Sequence, residues 1–74
     1  MKKNGKHKVA EPLSKREKQI LWLMADGLTD KEIAKKLAIS HDTAESHRSN
    51  IIKKLNAKNV SNAIVIALRQ NIII

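Results

Sequence analysis

After Leu13 the apolar residues fall into four short groups, spaced three or four residues apart, with polar residues filling the gaps. That period belongs to amphipathic helices, and no stretch alternates apolar and polar positions as a half-buried strand does. The first group, Ile20, Leu21 and Met24, predicts a helix from about Lys15 to Ala25. Ser14 and Glu17 stand at the spacing of a capping box, which satisfies free backbone groups at a helix start. Gly27 ends this helix, because glycine accepts the left-handed backbone that closes one. The second helix follows Thr29, with Thr29 and Glu32 as another capping box and Leu28 and Ile33 as a hydrophobic staple. Ile33, Ala34 and Leu37 face inward. Ala38-Ile39-Ser40 is long enough only for a sharp turn, with Ile39 plugging the core between two helices.

A third helix is expected over about 41–55, with Ser40 as its N-cap and Asn56 closing it in the left-handed region. Advancing roughly 100° per residue gathers Ala44, Ile51 and Leu55 on one side. Asp42, Glu45, Ser46, Ser49 and Lys53 gather on the opposite side. The outer face is therefore thin along two turns and basic afterwards. Small polar side chains let a helix backbone approach a groove and still hydrogen-bond base edges. Arg48 and Lys54 sit on the flanks, where phosphates would lie, and the helix N-terminus offers free amides to a phosphate.

The fourth helix is expected from about Asn62, with Ser61 as cap and a Val60–Val65 staple. Ala63, Ile64, Ala67 and Leu68 form its core stripe, while Val65 and Ile66 fall on another side. A helix apolar on two faces buries the second one somewhere, so Val65 and Ile66 are expected in a homodimer contact. The ending Asn71-Ile72-Ile73-Ile74 adds apolar surface. It could fold back on the core, join a dimer contact, or dock on another domain.

Residues 1–12 show no periodicity and carry Gly5 and Pro12, which predicts a disordered basic arm. The remaining length allows one small domain. With no cysteine, neither disulfides nor cysteine-ligated metal can brace it. Trp22 is the single aromatic residue, too few for the stacking platforms that hold single strands or RNA. No apolar run reaches membrane-spanning length, and the basic start lacks the apolar stretch of a secretory signal, so a cytoplasmic protein is expected.

The net charge of +8 is large for 74 residues and unevenly placed. No acidic residue follows Glu45, which leaves Arg48, Lys53, Lys54, Lys58 and Arg69 unopposed in sequence, and Lys2, Lys3, Lys6 and Lys8 form a second cluster. Such an excess attracts polyanions, and nucleic acid is the expected partner. Glu17 and Glu32 read as caps rather than catalytic acids. His7, His41 and His47 have no ligand set at zinc spacing, and serine, histidine and aspartate occur without a nucleophile turn. No enzyme, metal, cofactor or small-molecule ligand is expected in this chain. His47 divides evenly between packing and a polar contact, and Trp22 is expected at the edge of the core.

The motifs LSKRE (Leu13 to Glu17), GLTDKEIAKKLAIS (Gly27 to Ser40), Thr43, His47 and IIKKL ending at Leu55 occur in a specific order. In these, Leu13 to Leu68 resembles the helix-turn-helix output domain shared by LuxR, FixJ and NarL regulators and by the stand-alone regulator GerE. The resemblance implies an all-α, compact four-helix domain over 13–74 with its helix-turn-helix core at about 30–49. It further implies a third helix in the major groove and dimer contacts through the fourth. Its base-contacting positions fall on Glu45, Ser46 and Ser49, and its backbone-contacting positions on Lys31, Thr43, Arg48 and Lys53. Three departures stand out. Ala44 replaces the usual valine, Asn56 the usual glycine, and Glu45 a position often held by lysine.

The expectation is a sequence-specific, double-stranded DNA-binding regulator of transcription that acts as a homodimer on DNA, with RNA polymerase a further candidate partner. The competing reading is a module that binds polymerase, a sigma factor or a sensory domain. The chain could be a complete small regulator or an excised response-regulator output domain.

Overall fold

The computed structural model describes residues 12–73, so the expected arm lies, but for Pro12, outside the described residues. These form four helices and no strand: α1 (Lys15–Ala25), α2 (Asp30–Leu37), α3 (His41–Lys54) and α4 (Val60–Arg69). Helix α3 packs against α1, α2 and α4, and α1 also packs against α2 and α4.

The helix starts are local chemistry. Ser14 Oγ accepts from the Glu17 amide at 3.1 Å, and Glu17 Oε1 accepts from the Ser14 amide at 2.9 Å. Thr29 and Glu32 repeat the exchange at 3.2 and 2.8 Å. Ser40 Oγ accepts from the Thr43 amide at 3.0 Å and caps α3.

The helix ends share one geometry. Gly27, Ala38, Asn56 and Asn71 each have a positive φ, at 93°, 57°, 55° and 57°. In each case the next residue's amide reaches back to close the final turn: Leu28 to Leu23, Ile39 to Ala34, Ala57 to Ile52 and Ile72 to Ala67. These are Schellman closures with an apolar pair across each. Gly27 and Asn56 were expected to do this. Ala38 is the costly member, because its Cβ makes the left-handed region unfavourable.

Ile20, Leu21, Ile33 and Ile51 are fully buried at the centre, and Ala44, Leu55, Ala63 and Ala67 surround them. Burying each of the large side chains contributes about 1.5–3 kcal/mol. Ile39 and Leu28 are half-buried and pack on this cluster, as expected. Ile73 is buried, so the chain folds back onto the core at that residue.

Three expectations are corrected. Helix α4 starts at Val60, capped by Asn59 rather than Ser61. Asn59 Oδ1 accepts from the Asn62 amide at 2.8 Å, while Asn62 Oδ1 accepts from the Lys58 amide at 2.9 Å. Val60 thereby becomes the first helical residue and loses the position a staple with Val65 requires. Leu68 is 49% exposed rather than core, since Ala63 and Ala67 already fill the contact beneath α4. Trp22 is 48% exposed and lines a shallow apolar groove with Ile72 and Ile73 instead of sealing the core edge.

Candidate nucleic-acid interface

Ser40 begins α3 in extended backbone, and the three-residue turn before it carries the chain directly from α2. Ala44 and Ile51 anchor the inner side of α3, and Leu55 the residue after it; all three are buried. The opposite side is solvent. Asp42, Glu45, Ser46, Ser49 and Lys53 are all exposed. Glu45, Ser46, Arg48, Ser49 and Asn50 line an open depression of about 410 Å³ along this face. The three expected base-reading residues, Glu45, Ser46 and Ser49, thus share one surface.

Asn50 was not anticipated. It is exposed on the same surface, one helical turn after Ser46, and the four-residue spacing was the signal for it. An asparagine amide can make a paired hydrogen bond to adenine.

The expected phosphate-contacting residues divide. Lys31, Thr43 and Lys53 are exposed. The Thr43 hydroxyl accepts from Ser40 Oγ at 2.8 Å, which leaves its own proton to donate outward. Lys54 differs, for its ammonium sits 2.8 Å from Glu17 Oε1 with the lysine side chain only one quarter exposed. Glu17 is itself 4% exposed. Burial pushes the Glu17 carboxyl up, but the hydrogen bond and charge of Lys54 and the Ser14 contacts outweigh it and hold the group below its ordinary value. Lys54 therefore joins α3 to the start of α1.

Arg48 lies between two acids. Its Nη2 is 3.3 Å from Asp30 Oδ2 on α2 and 3.7 Å from Glu45 Oε2 one turn earlier on α3. Its Nε is buried and has no hydrogen-bond partner. Sequence reading missed the Asp30 contact, because no local spacing signals it.

On α4, Val65 is exposed, whereas Ile66 is partly buried against the core. The exposed apolar pair is Val65 with Leu68. His47 is half-buried and His41 exposed. His41, Asp42 and Glu45 bring one ligand atom each within 4.8 Å, but all three are exposed and form no enclosed shell. Among the described residues no helix is long and apolar enough to cross a membrane.

Comparison with known proteins agrees with this geometry. The family model for bacterial regulatory proteins of the luxR family matches residues 11–67. The uncharacterized transcriptional regulatory protein YxjL of Bacillus subtilis is 42% identical over 65 residues, covering 88% of this chain and 30% of YxjL. The response regulatory protein YgeK of Escherichia coli is 48% identical over 60 residues, covering 81% of this chain and 41% of YgeK. The oxygen regulatory protein NreC of Staphylococcus carnosus is 44% identical over 61 residues, covering 82% of this chain and 28% of NreC. The crystal structure of the response regulator ChrA from a heme-sensing two-component system superposes with a TM-score of 0.81 at 38% identity. That match covers 89% of this chain and 33% of ChrA. The chain thus spans less than half the length of each relative. Four helices with the turn between α2 and α3, and a family match over most of the chain, make it a helix-turn-helix domain of the luxR family of bacterial regulatory proteins, a family of DNA-binding transcription regulators.

Proposed function

We propose that this domain binds double-stranded DNA sequence-specifically and regulates transcription in the cytoplasm, with α3 lying in the major groove. The observation that carries the reading is the exposed face of α3, where Glu45, Ser46 and Ser49 stand thin and polar between basic flanks. Serine and glutamate can hydrogen-bond base edges, glutamate by accepting from cytosine. Lys31, Thr43, Arg48 and Lys53 serve phosphates and supply most of the affinity, while the base contacts supply selectivity. Lys54 serves the fold through Glu17.

One such helix reads few base pairs, so a homodimer on two half-sites about one helical turn apart extends the site. Helix α4 supports that pairing, with Val65 at the contact and Ile66 packed behind it. A second reading, contact with RNA polymerase or another protein, is favoured by the half-exposed Trp22 and its apolar groove. Selection of binding sites from random duplex DNA, followed by titration at several salt concentrations, tests the first reading. A salt-dependent complex tightened by one enriched sequence is expected. Saturable protein binding without duplex affinity would establish the second instead.

A further inference from the structure

Arg48 faces both ways. It lines the depression on the outer side of α3 with Glu45, Ser46 and Ser49. It also lines a separate recess of about 380 Å³ at the start of α2, with Gly27, Thr29 and Asp30. The Arg48 side chain is 34% exposed, Asp30 17% and Glu45 51%, so the guanidinium is held more firmly by α2 than by its own helix.

Three features mark this as a resting pose. First, both carboxylates meet the same Nη2 atom and compete there with a phosphate. Second, 3.3 and 3.7 Å are longer than the separations of about 2.7–2.9 Å found in strong charge-assisted hydrogen bonds. Displacement is therefore cheap. Third, the Nε donor has no partner in this pose. A buried donor without a partner is costly, and a pose that swings the guanidinium outward relieves it.

We propose that Asp30 is a positioning residue that competes with DNA phosphate for Arg48, holding it against α2 until α3 is fully seated in the groove and so tempering affinity for a matched site. The proposal rests on the DNA-binding reading above. On a poorly matched duplex α3 sits shallowly, no phosphate comes close enough to outcompete Asp30, and one phosphate contact is forfeited. On a matched site the seated helix brings the phosphate within reach and Arg48 transfers to it. Asp30 thus lowers affinity for the matched site, where its pair with Arg48 is given up, more than for random DNA, where the pair is kept.

The test is a double-mutant cycle of Asp30→Asn and Arg48→Gln, with Asp30→Glu as the charge-retaining control. Affinity for a selected site and for random duplex is read by fluorescence anisotropy between roughly 50 and 200 mM salt. Asp30→Asn should tighten the selected site about two- to fivefold, the range of an exposed ion pair, and random duplex by less. Its salt slope on random duplex should steepen by about 0.9, one further phosphate contact. Asp30→Glu should behave as wild type, and in the Arg48→Gln background the effect of Asp30→Asn should vanish. Equal tightening on both duplexes, or an effect that persists without Arg48, would show that Asp30 merely repels phosphate and would overturn the proposal. A wild-type protein with no salt-dependent duplex binding would instead remove the DNA reading itself. The tether is read separately in DNA-free protein, where Asp30→Asn should speed exchange of the Arg48 Nε proton. Unchanged exchange also overturns the proposal.

Discussion

Lys54 Nζ lies 2.8 Å from Glu17 Oε1, and the carboxylate it meets also caps α1. One buried oxygen thus ties the last turn of α3 to the first turn of α1. Removing the cation leaves a carboxylate in a dry site. Lys54→Met should therefore cost roughly 2–3 kcal/mol of stability by urea denaturation, while Glu17→Gln, which removes the buried charge itself, should cost less. The salt slope for duplex binding should change little in Lys54→Met. A drop of about one would instead return Lys54 to the phosphate-contacting set.

The same pair sets an acid limit. The Glu17 carboxyl is held below its ordinary value in the folded protein. Its stabilising contribution is therefore complete above the unfolded value of about 4.3 and is lost as pH falls through the lower folded value. Denaturant midpoints measured from neutral pH downward should fall in that acidic window. Glu17→Gln should flatten the part of the decline that belongs to this group, and an unchanged curve would contradict the assignment.

Ala38 offers a stabilising substitution. Its φ of 57° costs an alanine more than a glycine, and its side chain is exposed. Ala38→Gly should raise stability by about 0.5–1 kcal/mol, after allowing for the greater freedom of glycine in the unfolded chain. Ala38→Val should lower it. A urea midpoint shift in the opposite order would show that the turn between α2 and α3 relaxes around the Cβ.

The exposed face of α3 predicts a division of labour. Ser49→Ala and Glu45→Ala should alter which sequences are preferred more than they alter binding to random duplex. Lys53→Ala should weaken every site and reduce the salt slope by about one. Binding-site selection alongside salt titration separates the two outcomes, and a uniform loss from all three variants would remove the distinction.

Helix α4 predicts an assembly. Val65 and Leu68 are 42% and 49% exposed, so charging both should leave the fold intact. A Val65→Glu, Leu68→Glu variant should sediment as a monomer on half-site DNA and lose cooperative binding to paired half-sites. Ile66→Lys should instead lower stability, because Ile66 packs on the core. Unimpaired pairing in the doubly charged variant would place the dimer contact elsewhere.

Much of this protein could be read along the chain because its governing interactions are short. Ser14 with Glu17, Thr29 with Glu32, and Ser40 with Thr43 are side-chain-to-backbone bonds three residues apart. The helical repeat likewise placed Ala44 and Ile51 inside and Glu45, Ser46 and Ser49 outside. Where several local solutions competed, spacing did not choose. Asn59 and Ser61 can each cap a helix, and the bonds made by Asn62, from its amide to Asn59 Oδ1 and from the Lys58 amide to its own Oδ1, go with the first.

The sequence by itself determined four helices, the caps of the first three, a three-residue turn and a thin polar face, because periodicity and capping act within one or two turns. Tertiary structure alone decided what crosses between helices. It set Lys54 against Glu17 and Arg48 between Asp30 and Glu45, and left Leu68 in solvent while burying Ile73. The physical reason is that a helical repeat says which residues share a face, whereas the partner covering that face is chosen by the packing of distant segments.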